Sequence, residues 1–390
     1  MDRQYFGKFS GVESKERGLP VNGININLDH YHTLAQRYAF LGEVGSQLRC
    51  ADVLVLARAY GDLASPQGDG MFAIGHDARA SSASLAELVS IGLRSGGHHV
   101  THLDECTTPC LEWSISELNL CGGMMITGGH ASPDWNGLRF YHKQAQPMPV
   151  APIAEAASRW SRMEDLLSTE CTQTLCRLPM LSDYAASLRQ WVRSVALMKL
   201  ALDAGNGQIG VQVDAILSHL NGIRVWPLGF ESDPGFKTSG PNPFGRNKLK
   251  RLARVVKDNG CNFGAAIDVS GECLAVVDEQ GSSVSPEALG WLLARQQTEV
   301  YPDRKILFDP ACHPRPSDIE TAEAVGGGAF EAWGALHKNA ASLYFDDHGH
   351  YAFSDIPGTS NALFALMMLI RYIDERGTTL SELLSMSSNR

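Results

Sequence analysis

The sequence of 390 residues contains no uninterrupted apolar run long enough to cross a membrane as a helix. Its best stretch, Ala362 to Ile370, is far shorter than the roughly 20 residues that a bilayer requires. The amino-terminal residues MDRQYFGKFSG also lack the apolar core of a signal peptide. We therefore expect a cytoplasmic protein with no membrane partner.

The sequence also lacks blocks of basic residues and the closely spaced cysteine pairs that are typical of metal sites. The formal net charge is -10, which argues against nucleic acid as a partner. The nine cysteines are an odd number and include no CxxC pair. This pattern favours reduced thiols over a disulfide framework.

Strand-like apolar runs alternate with helical patterns three times along the chain, which indicates an α/β fold with largely parallel sheets. In the first unit, the run Met71 to Ile74 precedes a helical pattern from Ser82 to Leu93. The second unit opens with an apolar strand and a glycine turn at residues 200–207. The third unit contains the apolar run Lys305 to Phe308.

Four motifs follow one another along the chain. They are IGHDARASSASLAE at 74–87, GMMITGGHASPDWNGLRFY at 123–141, DAGNG at 203–207 and ESDPGFKTSGPNPF at 231–244. These motifs resemble those of the α-D-phosphohexomutases, the phosphomannomutases and phosphoglucomutases, and they occur in the same order. Several motifs in the right order are stronger evidence than a single glycine-rich turn.

The resemblance implies three consecutive α/β/α domains around a central cleft. It places the first domain, with its linker helices, at 1–182, the second at 183–284 and the third at 285–390. The family also has a fourth, smaller domain that clamps the substrate phosphate through an R-x-S-x-T-E-P loop. No match to that pattern occurs in these 390 residues, so we expect the fourth domain to be absent from the chain.

The family's active-site pattern, T-A-S-H-N-P-P-E-Y-N-G-x-K-F, contains the serine that carries the phosphoryl group to the sugar. Aligned without a gap, this chain has Gly129 at that serine, and glycine cannot act as a nucleophile. The family's histidine is kept as His130, which is therefore the remaining catalytic candidate. Ser132 stands at the pattern's first proline and is not expected to replace the serine, because in-line phosphoryl transfer tolerates little misplacement.

In the family, a D-G-D-x-D-R loop binds Mg²⁺ through three aspartates. The similar stretch here keeps Asp268 but has Ser270, Glu272 and Cys273 in place of the other two aspartates and the arginine. Two carboxylates and a hydroxyl would bind Mg²⁺ weakly at best. The alternative is a polar turn between two strands with no metal. The arginine of the family's amino-terminal S-G-I-R-G pattern is also replaced, here by Glu13.

The family's sugar-specificity loop, G-E-x-S-G-H, corresponds to the letters FDDHGH here. Asp346, His348 and His350 stand at its glutamate, serine and histidine, and we predict that they bind the sugar hydroxyls of a substrate. Because they alternate along the chain, an extended segment would also place them on one face as three metal ligands. The alternative is a hydrated loop whose histidines satisfy local hydrogen bonds. In the first motif, Asp77 and Arg79 are expected to stabilise the active-site loop.

Three functions are compatible with these residues. The first is a non-catalytic homologue that binds a hexose phosphate, a related sugar or a protein partner. The second is an enzyme with altered acid–base or metal-assisted chemistry on a sugar or sugar phosphate. Its candidate groups are His130, Asp268, Glu272, Asp346, His348 and His350. The third is an active phosphomannomutase or phosphoglucomutase, which Gly129 argues against. We favour the first because the nucleophile and much of the metal loop are replaced.

Overall fold

The computed structural model describes residues 37–160, 173–192, 195–217, 219–312, 316–338 and 340–388. Within this part of the chain, three mixed β-sheets follow one another and helices pack on their faces. The predicted α/β fold of three consecutive α/β/α units is therefore confirmed. The amino-terminal motif that contains Glu13 lies outside the described residues.

The first sheet has six strands. Strands β1 to β6 are Ala39–Glu43, Met71–His76, His99–Glu105, Gly122–Ile126, Trp135–His142 and Leu175–Arg177. Their order is β1-β5-β4-β2-β3-β6. The neighbours β4, β2, β3 and β6 are parallel to one another, whereas β5 is antiparallel to both β1 and β4. Helices α1 to α5 of this part of the chain are Cys50–Ala64, Ser82–Ser95, Thr108–Glu117, Val150–Ala157 and Leu181–Arg189.

The second sheet has five strands. Strands β7 to β11 are Met198–Asp203, Ile223–Leu228, Phe263–Ile267, Leu274–Asp278 and Ser283–Val284. Their order is β11-β10-β9-β7-β8; β8, β7 and β9 are parallel, whereas β9 and β10 form an antiparallel hairpin. Helices α6 and α7 are Ile209–Leu217 and Arg246–Asn259. The hairpin loop at 268–273 is the one that carries the predicted metal ligands.

The third sheet has four strands. Strands β12 to β15 are Lys305–Phe308, Ala322–Ala324, Ala341–Phe345 and Tyr351–Phe353, in the order β13-β12-β14-β15. β13, β12 and β14 are parallel, and β15 returns antiparallel to β14. Helices α8 to α11 are Pro286–Val300, Ala329–His337, Ala362–Arg376 and Leu380–Ser388. The domain limits after residues 182 and 284 stay predictions.

Local sequence accounts for the central strands and for several helix ends. Strands β4, with sequence GGMMI, and β9, with sequence FGAAI, are buried along their whole length, as expected where helices cover both faces of a sheet. Helix α8 begins at an N-cap, where Ser285 Oγ accepts a hydrogen bond from the Ala288 N–H. Helix α10 ends at Gly377, whose φ of +59° suits glycine.

Hydrogen bonds between the units bring their loops together. The Thr108 N–H at the start of α3 donates to the Ser270 carbonyl at 2.9 Å, and the Ala362 N–H at the start of α10 donates to the Gly271 carbonyl at 3.0 Å. The 268–273 hairpin loop is therefore held between the first and third units. Among the helices that the structure describes, none has both the length and the apolarity of a membrane span.

Candidate active site

Arg79 holds the loop that follows β4. Its guanidinium donates to four carbonyl oxygens of that loop, those of Gly129, Ala131, Ser132 and Trp135. Asp77 accepts from Arg79 Nε at 3.0 Å and from Thr127 Oγ1 at 2.8 Å. Arg79 and Asp77 therefore make the loop-stabilising contacts that the motif predicts.

Gly129 contributes only backbone to this site. Its φ is +53°, in the left-handed region that favours glycine, and its N–H donates to Thr127 Oγ1 at 3.0 Å. A Cβ atom added here would meet only Arg139 Nη2, at 3.8 Å. The position predicted to correspond to a phosphoserine therefore has space for a Cβ atom but contains only backbone.

Asp268 anchors the hairpin loop between β9 and β10. Its buried carboxylate accepts from the N–H groups of Glu272 and Cys273, both at 2.8 Å, through Oδ1. Oδ2 accepts from the Ser270 hydroxyl and from the Ser270 N–H at 3.2 Å. Burial raises the pKa of Asp268, but the neighbouring His130 and these hydrogen bonds hold it well below its usual value.

Glu272 faces Arg139 of β5 rather than Asp268. Arg139 Nη1 lies 2.5 Å from both Glu272 carboxylate oxygens. Burial lowers the pKa of Arg139, but Glu272 and Tyr141 together raise it more, so the net shift is upward. Of the three predicted metal ligands, Asp268 and Ser270 bond to each other and Glu272 is ion-paired. Mg²⁺ needs a near-octahedral shell of oxygen atoms, and this arrangement does not fit it.

The loop between β14 and β15 is a turn. Asp346 Oδ1 accepts from the N–H groups of His348 at 3.0 Å and His350 at 2.9 Å, and Gly349 has a φ of +83°. Asp346 Oδ2 lies 2.9 Å from His350 Nδ1, whereas His348 Nδ1 pairs with Asp347. The alternative of an extended segment with three ligands on one face is not formed, because the Asp346 carboxylate accepts hydrogen bonds from the amides that follow it. Asp346 and His350 lie together, and His348 is exposed.

The loops of the three units converge around Cys273. His130 Nε2 of the first unit lies 3.6 Å from Asp268 Oδ2 of the second. Cys273 Sγ lies 3.1 Å from His350 Nε2 of the third, and these two residues also form an isolated β-bridge. These contacts bring the three loops together, as expected for three units around a central cleft. The ligand atoms of His130, Asp268 and Cys273 all lie within 4.8 Å of one another and form a candidate metal-binding triad.

The two histidines of this cluster are strongly perturbed. Burial lowers the pKa of His130, but the neighbouring Asp268 and Cys273 outweigh it and raise the value to about 10. Burial likewise lowers the pKa of His350, and the adjacent Cys273 and Asp346 reverse this and raise it well above its usual range.

Sequence reasoning assigns no role to Cys273 or Arg139, although both occupy the centre of the site. Cys273 stands out in the sequence only as the replacement of an arginine. Its partners His130 and His350 come from other units, so no local spacing marks them as neighbours. Arg139 lies on a strand whose other residues are mostly apolar or aromatic, and only the fold shows that it faces Glu272.

Comparisons with known proteins agree with this geometry. Residues 36–164 match a family model described as phosphoglucomutase/phosphomannomutase, alpha/beta/alpha domain I, and residues 182–281 match the model for domain II. A phosphomannomutase/phosphoglucomutase of Pseudomonas putida is 28% identical over 313 residues, which cover 78% of this chain. A protein of Xanthomonas campestris named "Phosphohexose mutases" is 27% identical over 342 residues, which cover 84% of this chain and 75% of the relative.

The chain spans 64% of the length of the Pseudomonas putida relative. Among solved structures, a phosphoglucomutase/phosphomannomutase family protein of Burkholderia thailandensis superposes with a TM-score of 0.82 at 20% identity. That match covers 91% of this chain and 79% of the other, and at such low identity it supports the fold alone.

Proposed function

The chain belongs to the phosphoglucomutase/phosphomannomutase family, the α-D-phosphohexomutases, and we propose that it binds a hexose phosphate or related sugar without phosphoserine-dependent mutase activity. The observation that carries this proposal is Gly129. At the point where the family holds its phosphoryl carrier, this chain offers a backbone N–H and carbonyl that are both already hydrogen-bonded.

The charges around Gly129 support the loss of mutase chemistry. Phosphoryl transfer depends on cations that stabilise the charge of the moving group. Arg139, whose Nη2 is the side-chain atom nearest to position 129, is paired with Glu272, and Arg79 is bound to Asp77 and four loop carbonyls. In both cases, a carboxylate already neutralises the guanidinium. A phosphate at this position would have to compete with that carboxylate for the arginine.

Sugar binding is supported by the loop between β14 and β15. Asp346 is held in a fixed orientation by two backbone amides, while His348 remains half exposed at the same turn. Fixed carboxylates and exposed imidazoles are good partners for sugar hydroxyls. A hexose phosphate is also the ligand class suggested by the relatives' printed names.

The test separates binding from turnover. Calorimetric titration of the full chain with glucose 6-phosphate, mannose 6-phosphate and glucose should detect binding of at least one of them, weakened by His348→Ala. Isomer exchange of glucose 1-phosphate and mannose 1-phosphate, with Mg²⁺ and a hexose bisphosphate added, should stay at background. Rapid exchange would overturn the proposed loss of activity, and failure of all three ligands to bind would overturn the proposed sugar site.

A second candidate function is an enzyme with altered acid–base chemistry in the same cleft. The observation that favours it is the buried Cys273 side chain beside two imidazoles, those of His130 and His350. Perturbed titratable groups cluster at functional sites more often than elsewhere. Conversion of a bound sugar to a new product, abolished by His130→Gln with sugar binding retained, would favour this function over the first.

A further inference from the structure

The three converging loops place an imidazole, a carboxylate and a thiol around one point. We propose that His130 Nε2, Asp268 Oδ2 and Cys273 Sγ bind a divalent cation of the zinc class, with one coordination position left open. This inference goes beyond the proposed function, because it does not depend on whether the cleft binds a sugar.

The distances between the three ligand atoms fit a common ion. Zinc lies about 2.0–2.3 Å from nitrogen, oxygen and sulfur ligands, which puts tetrahedral ligand atoms roughly 3.3–3.6 Å apart. His130 Nε2 and Asp268 Oδ2 are already 3.6 Å apart, and no pair within the triad exceeds 4.8 Å. Movements of the side-chain atoms by a few tenths of an ångström to about one ångström would bring the three ligand atoms to these separations.

The chemistry of the donors selects the metal. Thiolate and imidazole are soft to intermediate ligands that favour zinc and its neighbours, whereas Mg²⁺ prefers a shell of oxygen atoms alone. The oxygen donors that Mg²⁺ would need are engaged elsewhere, because Glu272 is paired with Arg139 and the Ser270 hydroxyl donates to Asp268. The residues at this place therefore suit a different class of ion from the family's.

The ligands are oriented by neighbours that do not themselves have to bind the metal. Two backbone N–H groups fix Oδ1 of Asp268, and Oδ2, which accepts from Ser270, faces His130. Nε2 of His350 contacts the Cys273 sulfur at 3.1 Å, and Asp346 fixes that ring from its other nitrogen at 2.9 Å. Outer partners of this kind typically change metal affinity by about 10–100-fold when they are removed.

The exposure of the ligands indicates where the open position lies. Asp268 and Cys273 are 0% and 1% exposed, so they form the base of the site. The His130 side chain is 38% exposed and forms its solvent side. Three protein ligands with an accessible fourth position are the arrangement of zinc sites that bind a water molecule or a substrate oxygen.

Cobalt spectroscopy tests this site directly. Addition of Co²⁺ to the metal-free full chain should produce a thiolate-to-cobalt charge-transfer band with one ion per chain, and Zn²⁺ should abolish the band by competition. Mg²⁺ in large excess should not. Cys273→Ser should eliminate the band, whereas Cys261→Ser, which changes another buried cysteine, should leave it intact.

Two histidine variants two residues apart provide a further control. His350→Ala should weaken Co²⁺ binding by about 10–100-fold, and His348→Ala should leave the affinity unchanged, because His348 pairs with Asp347 instead. Circular dichroism confirms that each variant is folded. Absence of the band in the unmodified chain, its survival in Cys273→Ser, or equal losses in the two histidine variants would overturn the proposal.

Discussion

Gly129 has no side chain that could act as a nucleophile, and the neighbouring side chains are engaged in contacts that a serine at this position alone would not change. Asp268 is tied to Ser270 and to the amides of its own loop, and Glu272 is tied to Arg139. Cys273, beside His350, occupies the place of an arginine. The residues around position 129 thus form a neutralised, internally bonded cluster rather than an anion-binding pocket.

Gly129→Ser should give a folded protein without mutase activity. The added Cβ meets only Arg139 Nη2, at 3.8 Å. The left-handed backbone should therefore be its main cost, about 1–2 kcal/mol of unfolding free energy. Activity should stay at background because charge stabilisation is still missing. Urea denaturation measures the loss of unfolding free energy. Isomer exchange after priming with a hexose bisphosphate measures mutase activity. Recovery of this activity to within about a hundredfold of ordinary enzyme turnover would contradict the prediction.

Arg139→Ala should destabilise the protein by about 3–5 kcal/mol, because it leaves the buried Glu272 carboxylate unpaired. The double variant Arg139→Ala with Glu272→Gln should recover part of that loss, since the uncompensated charge is gone. Denaturant titration of both variants measures the difference. A double variant no more stable than Arg139→Ala would show that Glu272 is not charged against Arg139 in the folded protein.

Loops, more than strands or helices, define the site. The active-site loop after β4 has no regular secondary structure over residues 127–134, and Arg79 supplies much of its order by donating to three of its carbonyl oxygens and to that of Trp135 at the start of β5. The other two loops are hairpin turns, each organised by one aspartate, Asp268 and Asp346, that accepts backbone amides.

Arg79→Met should loosen the first of these loops selectively. Hydrogen exchange of peptides that cover residues 127–135 should quicken by at least about tenfold, because the loop carbonyls lose their common donor. Exchange in strand β9, at Phe263–Ile267, should be unchanged and serves as the internal control. Equal acceleration in both segments would mean that Arg79 supports the whole fold rather than this loop.

Prediction from sequence succeeds where a local pattern determines the structure. The apolar run Lys305–Phe308 is a strand within those limits, because burial favours continuous apolar segments in the strands of a parallel sheet. The turn at Asp346 does not follow from the alternation of polar residues. It forms because the Asp346 carboxylate accepts hydrogen bonds from the N–H groups of His348 and His350. The contact of Cys273 with His350 needs three-dimensional information, because two separate units supply the partners.

The three units are coupled through buried polar contacts near the site. Glu112 of α3 accepts from the Thr359 N–H at 3.1 Å and from Thr359 Oγ1 at 2.7 Å, which joins the first unit to the segment before α10. Gly358 lets that segment approach, because a Cβ there would lie 2.3 Å from Glu112 Oε2. Burial and the nearby Glu272 raise the pKa of Glu112 to about 8.

This carboxyl should make the stability of the protein depend on pH. Because its pKa is higher in the folded state than the unfolded value of 4.5, its contribution is complete below 4.5 and is lost as the pH rises to about 8. Glu112→Gln, which resembles the protonated form, should remove that decline. The unfolding free energy, determined from about pH 5 to pH 9, measures this decline. Glu117→Gln on the same helix is the control. Identical pH profiles for Glu112→Gln and the unmodified chain would contradict the assignment.

Without a nucleophile at position 129, no residue of the active-site loop should carry a phosphoryl group during a mutase cycle. Incubation of the full chain with isotopically labelled glucose 1,6-bisphosphate and Mg²⁺, followed by mass spectrometry of its peptides, tests this directly. We predict no phosphorylated peptide from residues 123–141. A phosphate on Ser132 or another residue of that segment, which is passed on to added glucose 1-phosphate, would contradict the account.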